Sequence, residues 1–215
     1  MSEALTAKVV AILGTMHPHF GRWFYTRELS KLAGASTWVV SREFSGLVKE
    51  GIVKQKVQGR EKYYALDLSS SKTRALCQLF ESERRERLYK KNRRLAWALE
   101  ELTKRFLDYI PQVQCVILFG SAARGEMTKT SDVDLLAIVP NMPQESLNQL
   151  MKDVDKMTRE VAGVYPVNLA AITMTMHDYE AALREKKRIA EDVLRDGIIL
   201  FGVDRYLRLL SKVIR

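Results

Sequence analysis

The sequence predicts an α+β chain: a helical, basic N-terminal part that ends in a hairpin, a long helix, and a C-terminal small mixed α/β sheet. Three observations carry this. Apolar residues recur at helical spacing through the first helices and are followed by two short β runs around Gln58-Gly59-Arg60. Residues 72–109 hold neither proline nor glycine, and apolar residues recur there at helical intervals. Two short apolar runs, 115–119 and 133–139, flank a Gly-Ser bend, with helical segments and further strands after them.

Residues 3–15 place Leu5, Val9, Ile12 and Leu13 on one face of a first helix. His17-Pro18-His19 and Gly21 break the pattern, so residues 16–25 read as a loop. Thr26 is the expected N-cap of a second helix that stops at Gly34. Ser36 caps a third, which reaches about Glu50 and ends at Gly51. Within it Val40, Phe44, Leu47 and Val48 form one apolar face, and Trp38, Ser41, Arg42, Ser45 and Lys49 lie on the others. Strands follow at 52–57 and 62–66. Serines 69–71 cap the long helix, which is one helix or two joined near Asn92. Pro111 closes it. These signals divide the chain into 1–68, a helical linker 69–110, and 111–215.

The C-terminal part continues in the same way. Pro140 to Pro143 is a turn, 144–162 a helix that Gly163 stops, and 166–173 a third strand. Thr175 and Asp178 mark a capped helix start. Helices run to about Asp196, 197–202 is a short strand, and a last helix closes the chain.

The net charge of +9 is unevenly spread. Residues 1–70 carry 10 basic and 6 acidic side chains, residues 71–111 carry 11 and 6, and residues 112–215 carry 14 of each. The excess lies outside the C-terminal part and points to a polyanionic partner for the N-terminal one. The run Arg84-Arg85-Glu86-Arg87 with Lys90, Lys91, Arg93 and Arg94 reads as a solvated helix face rather than a phosphate site. No apolar run has the length of a membrane span, and the first residues do not form a signal peptide. Two cysteines, Cys77 and Cys115, make no disulfide framework, which favours a reducing cytoplasm. The three histidines lack zinc-ligand spacing.

The chemistry concentrates in Phe119-Gly120-Ser121 and Ser131-Asp132-Val133-Asp134. Glycine lets the backbone bend sharply and approach a ligand. Ser121 and free N–H groups at a helix start can hold a phosphate. Residues two apart on a strand share a face, so Asp132 and Asp134 converge. Paired acids repel unless a cation lies between them, and Mg²⁺ suits hard oxygens shared with substrate phosphates.

Gly120-Ser121 followed at this spacing by Asp132-Val133-Asp134 resembles the signature of the polymerase-β-like nucleotidyltransferases, nearest to the minimal branch, over about residues 95–205. The N-terminal order of three helices and a basic hairpin resembles a winged helix-turn-helix of microbial transcription regulators, over about residues 1–68. The first resemblance implies Mg²⁺ or Mn²⁺ on Asp132 and Asp134, and a nucleoside triphosphate held by Gly120, Ser121 and Arg124, with Lys129 a weaker candidate. It implies transfer of a nucleotide, AMP foremost, to a protein or small-molecule hydroxyl. In the minimal branch the acceptor is often a HEPN-type toxin. A third carboxylate is expected on a neighbouring strand, where this chain carries Asn168. Asp178 and Glu180 read as a cap and a solvated first turn. The second resemblance implies double-stranded DNA bound by Ser41, Arg42 and Ser45 on the third helix and by Arg60 and Lys62 on the wing, in a homodimer. Trp38 serves DNA or a dimer partner equally well. Two readings stay open: an enzyme coupled to DNA binding, and a DNA-binding regulator whose C-terminal domain senses a nucleotide without turning it over. A winged helix used only for protein contact is the remaining alternative for the N-terminal part.

Overall fold

The computed structural model describes residues 6–128 and 131–214. Its chain divides into two compact units: Met1–Phe80 with Leu210–Arg215, and Glu81–Leu209. Leu5 and Lys129 lie outside the described residues.

The first unit holds α1 (Ala7–Met16), β1 (Phe24–Tyr25), α2 (Thr26–Ala33), α3 (Thr37–Lys49), β2 (Val53–Gln58) and β3 (Glu61–Leu66). The strands form an antiparallel sheet in the order β1-β3-β2. Ser36 accepts the N–H of Val39 and caps α3 as its sequence position predicts. Thr26 does not cap α2. It is the first residue of that helix, and its hydroxyl donates to the Lys62 carbonyl at 3.0 Å, tying helix to sheet. The two-residue β1 was expected as loop. It exists because Phe24 and Tyr25 find partners in Tyr64 and Tyr63, a non-local pairing that local pattern does not reveal. Leu13, Leu29, Phe44, Leu47 and Tyr64 are fully buried together in this core.

Helices α4 (Ser71–Lys91) and α5 (Arg93–Tyr109) are separated at Asn92. That residue is extended, and its side chain accepts the Leu95 N–H, so it opens a new helix instead of continuing the old one. The stretch expected as a linker contributes Phe80 to the first core and Leu88, Leu95, Leu99, Leu102 and Phe106 to the second.

The second unit adds β4 (Cys115–Phe119), α6 (Gly120–Arg124), β5 (Asp132–Val139), α7 (Gln144–Val164), β6 (Asn168–Thr175), α8 (Met176–Arg184), α9 (Arg188–Asp196), β7 (Ile198–Phe201) and the start of α10 (Val203–Val213), whose residues from Leu210 on belong to the first unit. Its sheet runs β6-β5-β4-β7. β5 and β6 are parallel, joined by the crossover helix α7; β4 is antiparallel to both β5 and β7. The sheet is therefore mixed. Helix α7 passes through Gly163 to Val164 rather than stopping at the glycine, a cost of about 1 kcal/mol that packing of the helix overrides.

Alternation along β5 decides where the site lies. Val133, Leu135, Ala137 and Val139 pack into a core with α5 and α7. The intervening residues, Asp132, Asp134, Leu136 and Ile138, therefore face the side covered by α8 and α9. Two acids at the start of an otherwise apolar strand are thus delivered to the mouth of that face.

Candidate functional site

The bend after β4 is built for close approach. Gly120 has φ +71°, and a Cβ added there would lie 2.5 Å from Oδ2 of Asp134. Any other residue would be strained in its backbone and would push the carboxylate aside. β4 and β5 pair Phe119 with Asp134, so the bend and the acid meet by register. Gly120 and Ser121 open α6, whose first-turn N–H groups have no partner inside the helix.

Gly120, Ser121, Arg124 and Asp134 line one cavity of about 560 Å³ together with Phe119, Arg188, Asp192 and Arg195. That volume suits a small-molecule ligand. Asp132 stands beside it, exposed at the start of β5. A larger hollow of about 650 Å³ between α5 and α7 contains none of the motif residues and is lined by charges of both signs.

Burial pushes the Asp134 carboxyl above its ordinary value, and the nearby charges of Asp132 and Asp192 push the same way. Among the described residues neither Asp132 nor Asp134 has a cation at ion-pair distance. Like charge gathered without an internal counter-ion fits a divalent cation, and two hard carboxylates leave room for phosphate oxygens and water in its shell. No group of three or more potential ligands occurs among the described residues.

The opposite wall is neutralised. Arg124 donates to Glu126 at 2.7 Å and to Asp196 at 2.7 Å. Arg195 donates to Asp192 at 2.6 Å and to Asp196 at 3.0 Å. Burial alone would raise the Asp196 carboxyl, but hydrogen bonds from Arg195 and Arg124 outweigh it and hold the group below its ordinary range. Arg188, almost fully exposed, approaches Asp192 at 3.7 Å. The sequence placed helices up to about Asp196 but assigned none of the α9 residues to the site. The signal was the spacing of Arg188, Asp192 and Arg195, at i, i+4 and i+7, which places all three on one helix face.

The expected gap on the neighbouring strand is present. Parallel register sets Asn168 beside Asp132 and Ala170 beside Asp134, so no acid on β6 joins the pair. Asp178 is occupied elsewhere: its N–H donates to the Thr175 hydroxyl at 3.1 Å, and that hydroxyl donates to its carboxylate at 2.6 Å.

The nucleotidyltransferase domain family model matches residues 95–194. No curated protein matches the chain. The matched stretch contains the bend, both acids of β5, and Arg188 and Asp192 of α9, and the match supports a generic nucleotidyl transfer.

The residues expected to touch DNA lie in the other unit. Lys62 approaches Ser41 at 3.5 Å, so the third helix and the hairpin share one surface. Ser45 turns its hydroxyl back to the Ser41 carbonyl at 2.7 Å. Arg42 stacks over Trp38, 5.0 Å from the ring, and also bonds Glu43. Trp38 is 66% exposed. Arg60 is exposed in the turn between β2 and β3, where Gly59 has φ +63°. No helix among the described residues is long and apolar enough to cross a membrane.

Proposed function

We propose that this chain is a Mg²⁺- or Mn²⁺-dependent nucleotidyltransferase that moves a nucleotide, AMP foremost, from its triphosphate to a hydroxyl of a protein or small molecule, and that its N-terminal winged helix binds double-stranded DNA. The observation that carries the enzymatic half is the contact of Gly120 with Asp134 inside one cavity that also holds Ser121 and Arg124. Asp132 and Asp134 would hold the cation, which would supply positive charge to offset that of the phosphates. Ser121 and the first N–H groups of α6 grip the β- and γ-phosphates, and Arg124, fixed by Asp196, faces them. The acceptor oxygen bonds to the α-phosphorus as the bond to pyrophosphate breaks. Asn168 carries no charge and cannot take the acceptor's proton, so the hydroxyl's own acidity sets the pace and transfer is slow. A HEPN-type toxin is the acceptor this reading favours, with the chain as a cytoplasmic antitoxin that also regulates transcription.

The neutral pair Asn168 and Ala170 beside the acids supports a second reading, a regulator whose C-terminal domain binds nucleotide without turnover. Labelled ATP separates the two. The enzyme transfers label to a co-expressed acceptor and loses this in Asp132→Ala/Asp134→Ala; the sensor binds ATP with no transfer in either protein. DNA binding is tested by its salt dependence, where contact with several phosphates demands a steep fall in affinity. Arg42→Ala with Arg60→Ala should flatten that fall.

A further inference from the structure

The two sheets have four edge strands, and three of them are guarded. β1 is only two residues long. β2 carries Lys54 and Lys56 along its length. β7 is four residues long, and side chains of α4 cover its outer backbone. The buried Glu81 carboxylate accepts the Ile199 N–H at 2.8 Å, Arg85 donates to the Leu200 carbonyl, and Arg84 donates to the Gly197 carbonyl at 2.8 Å. Short length, lysines and covering side chains are the means by which proteins keep an edge from pairing with another chain.

β6 has none of these. It is eight residues long and reads Asn-Leu-Ala-Ala-Ile-Thr-Met-Thr, with no charge, proline or glycine. It pairs with β5 on one side only. Among the described residues no side chain bonds its outer backbone between Asn168 and Met174. Ile172, near its middle, is 45% exposed.

We infer that β6 is the edge on which a second copy of this chain adds, antiparallel and about a two-fold axis at Ile172, so that two four-stranded sheets become one. Three features favour a second copy over another chain. The strand is neutral, so it meets itself without like-charge repulsion. Strand parity is satisfied: with Ile172 opposite the partner's Ile172, Ala170 meets the partner's Met174 and Ala171 meets the partner's Thr173, small against large on the same face. The helix beside it, α7, carries four acids and three bases, so two copies brought together are nearly neutral as well. This surface lies on the opposite edge from the covered β7 and does not depend on nucleotidyl transfer.

Sedimentation of the full chain across a wide dilution series tests the inference. The expected result is a species of twice 24.7 kDa, which Ile172→Lys and Ile172→Glu each reduce to half that mass. Mixing those two variants should restore it, because the register sets the new charges opposite each other. Hydrogen exchange on the unmodified chain is the second measurement: the 168–175 amides should slow at high concentration and quicken on dilution. The inference fails if the unmodified chain is monomeric throughout, or if its dimer ignores both substitutions. It also fails if the amides become protected only when an acceptor protein is added. Labelled-ATP binding by the Ile172→Lys monomer reports on the nucleotide site separately.

Discussion

The two walls of the cavity at Asp134 are built on opposite principles. On the β5 wall, Asp132 and Asp134 stand together with no cation at hand among the described residues, and the fold makes Asp134 harder to ionise. On the α9 wall Asp192 and Asp196 each have a guanidinium: both pair with Arg195, and Asp196 with Arg124 as well. A fold assembled only for stability would neutralise both. Leaving one wall with net negative charge keeps it receptive to a ligand of opposite sign, and pairing the other fixes the arginines that face the cavity.

Substitution can break this contrast. The largest effect is expected from Asp132→Ala with Asp134→Ala, which should reduce label transfer by about 10³-fold or more, since metal charge stabilisation is worth several kcal/mol. The same double variant should melt no lower than the unmodified chain, because it removes repulsion; a large fall in Tm would mean the acids hold the fold instead. Gly120→Ala should follow, with transfer down about 10²-fold from a displaced Asp134, measured against an unchanged far-ultraviolet spectrum. On the neutral side, Asp196→Asn should cost about 1–2 kcal/mol by denaturant unfolding through lost charged hydrogen bonds, and should weaken nucleotide affinity by freeing Arg124. Its pH dependence has a fixed sign. A carboxyl held below its ordinary value near 3.8 gives stability that is present above that value and drains away as pH falls through the lowered one. The variant should lose that acid sensitivity. Arg188→Ala is the mildest: a several-fold loss of triphosphate affinity in calorimetry, with stability unchanged because the side chain is exposed.

What could be read from the sequence followed physical range. The Gly-Ser bend and the acids of β5 were legible because one strand and one turn determine them: spacing alone sets Asp132 and Asp134 on a common face, and the positive φ of Gly120 fits the residue there. The break at Asn92 was legible because a cap is a local device. The α9 wall was not, since Asp196 acts only after the chain has returned to Arg124, 72 residues away in sequence. The covering of β7 by Glu81 and Arg85 was hidden for the same reason, and the run containing Arg84 and Arg85 was read as solvated although both donate to carbonyls of the β7 region. The short β1 escaped because its partners lie in a hairpin far along the chain.

The placement of the three indoles has an optical consequence. Trp38 is largely exposed on α3 with a guanidinium over its ring, Trp23 is under Lys56 at 4.4 Å in the same unit, and Trp97 is half-exposed on α5. None lines the cavity at Asp134. Intrinsic emission should therefore respond when a polyanion covers α3 and stay dark to a nucleotide filling the cavity, so the two halves of the protein can be titrated in one cuvette without a label.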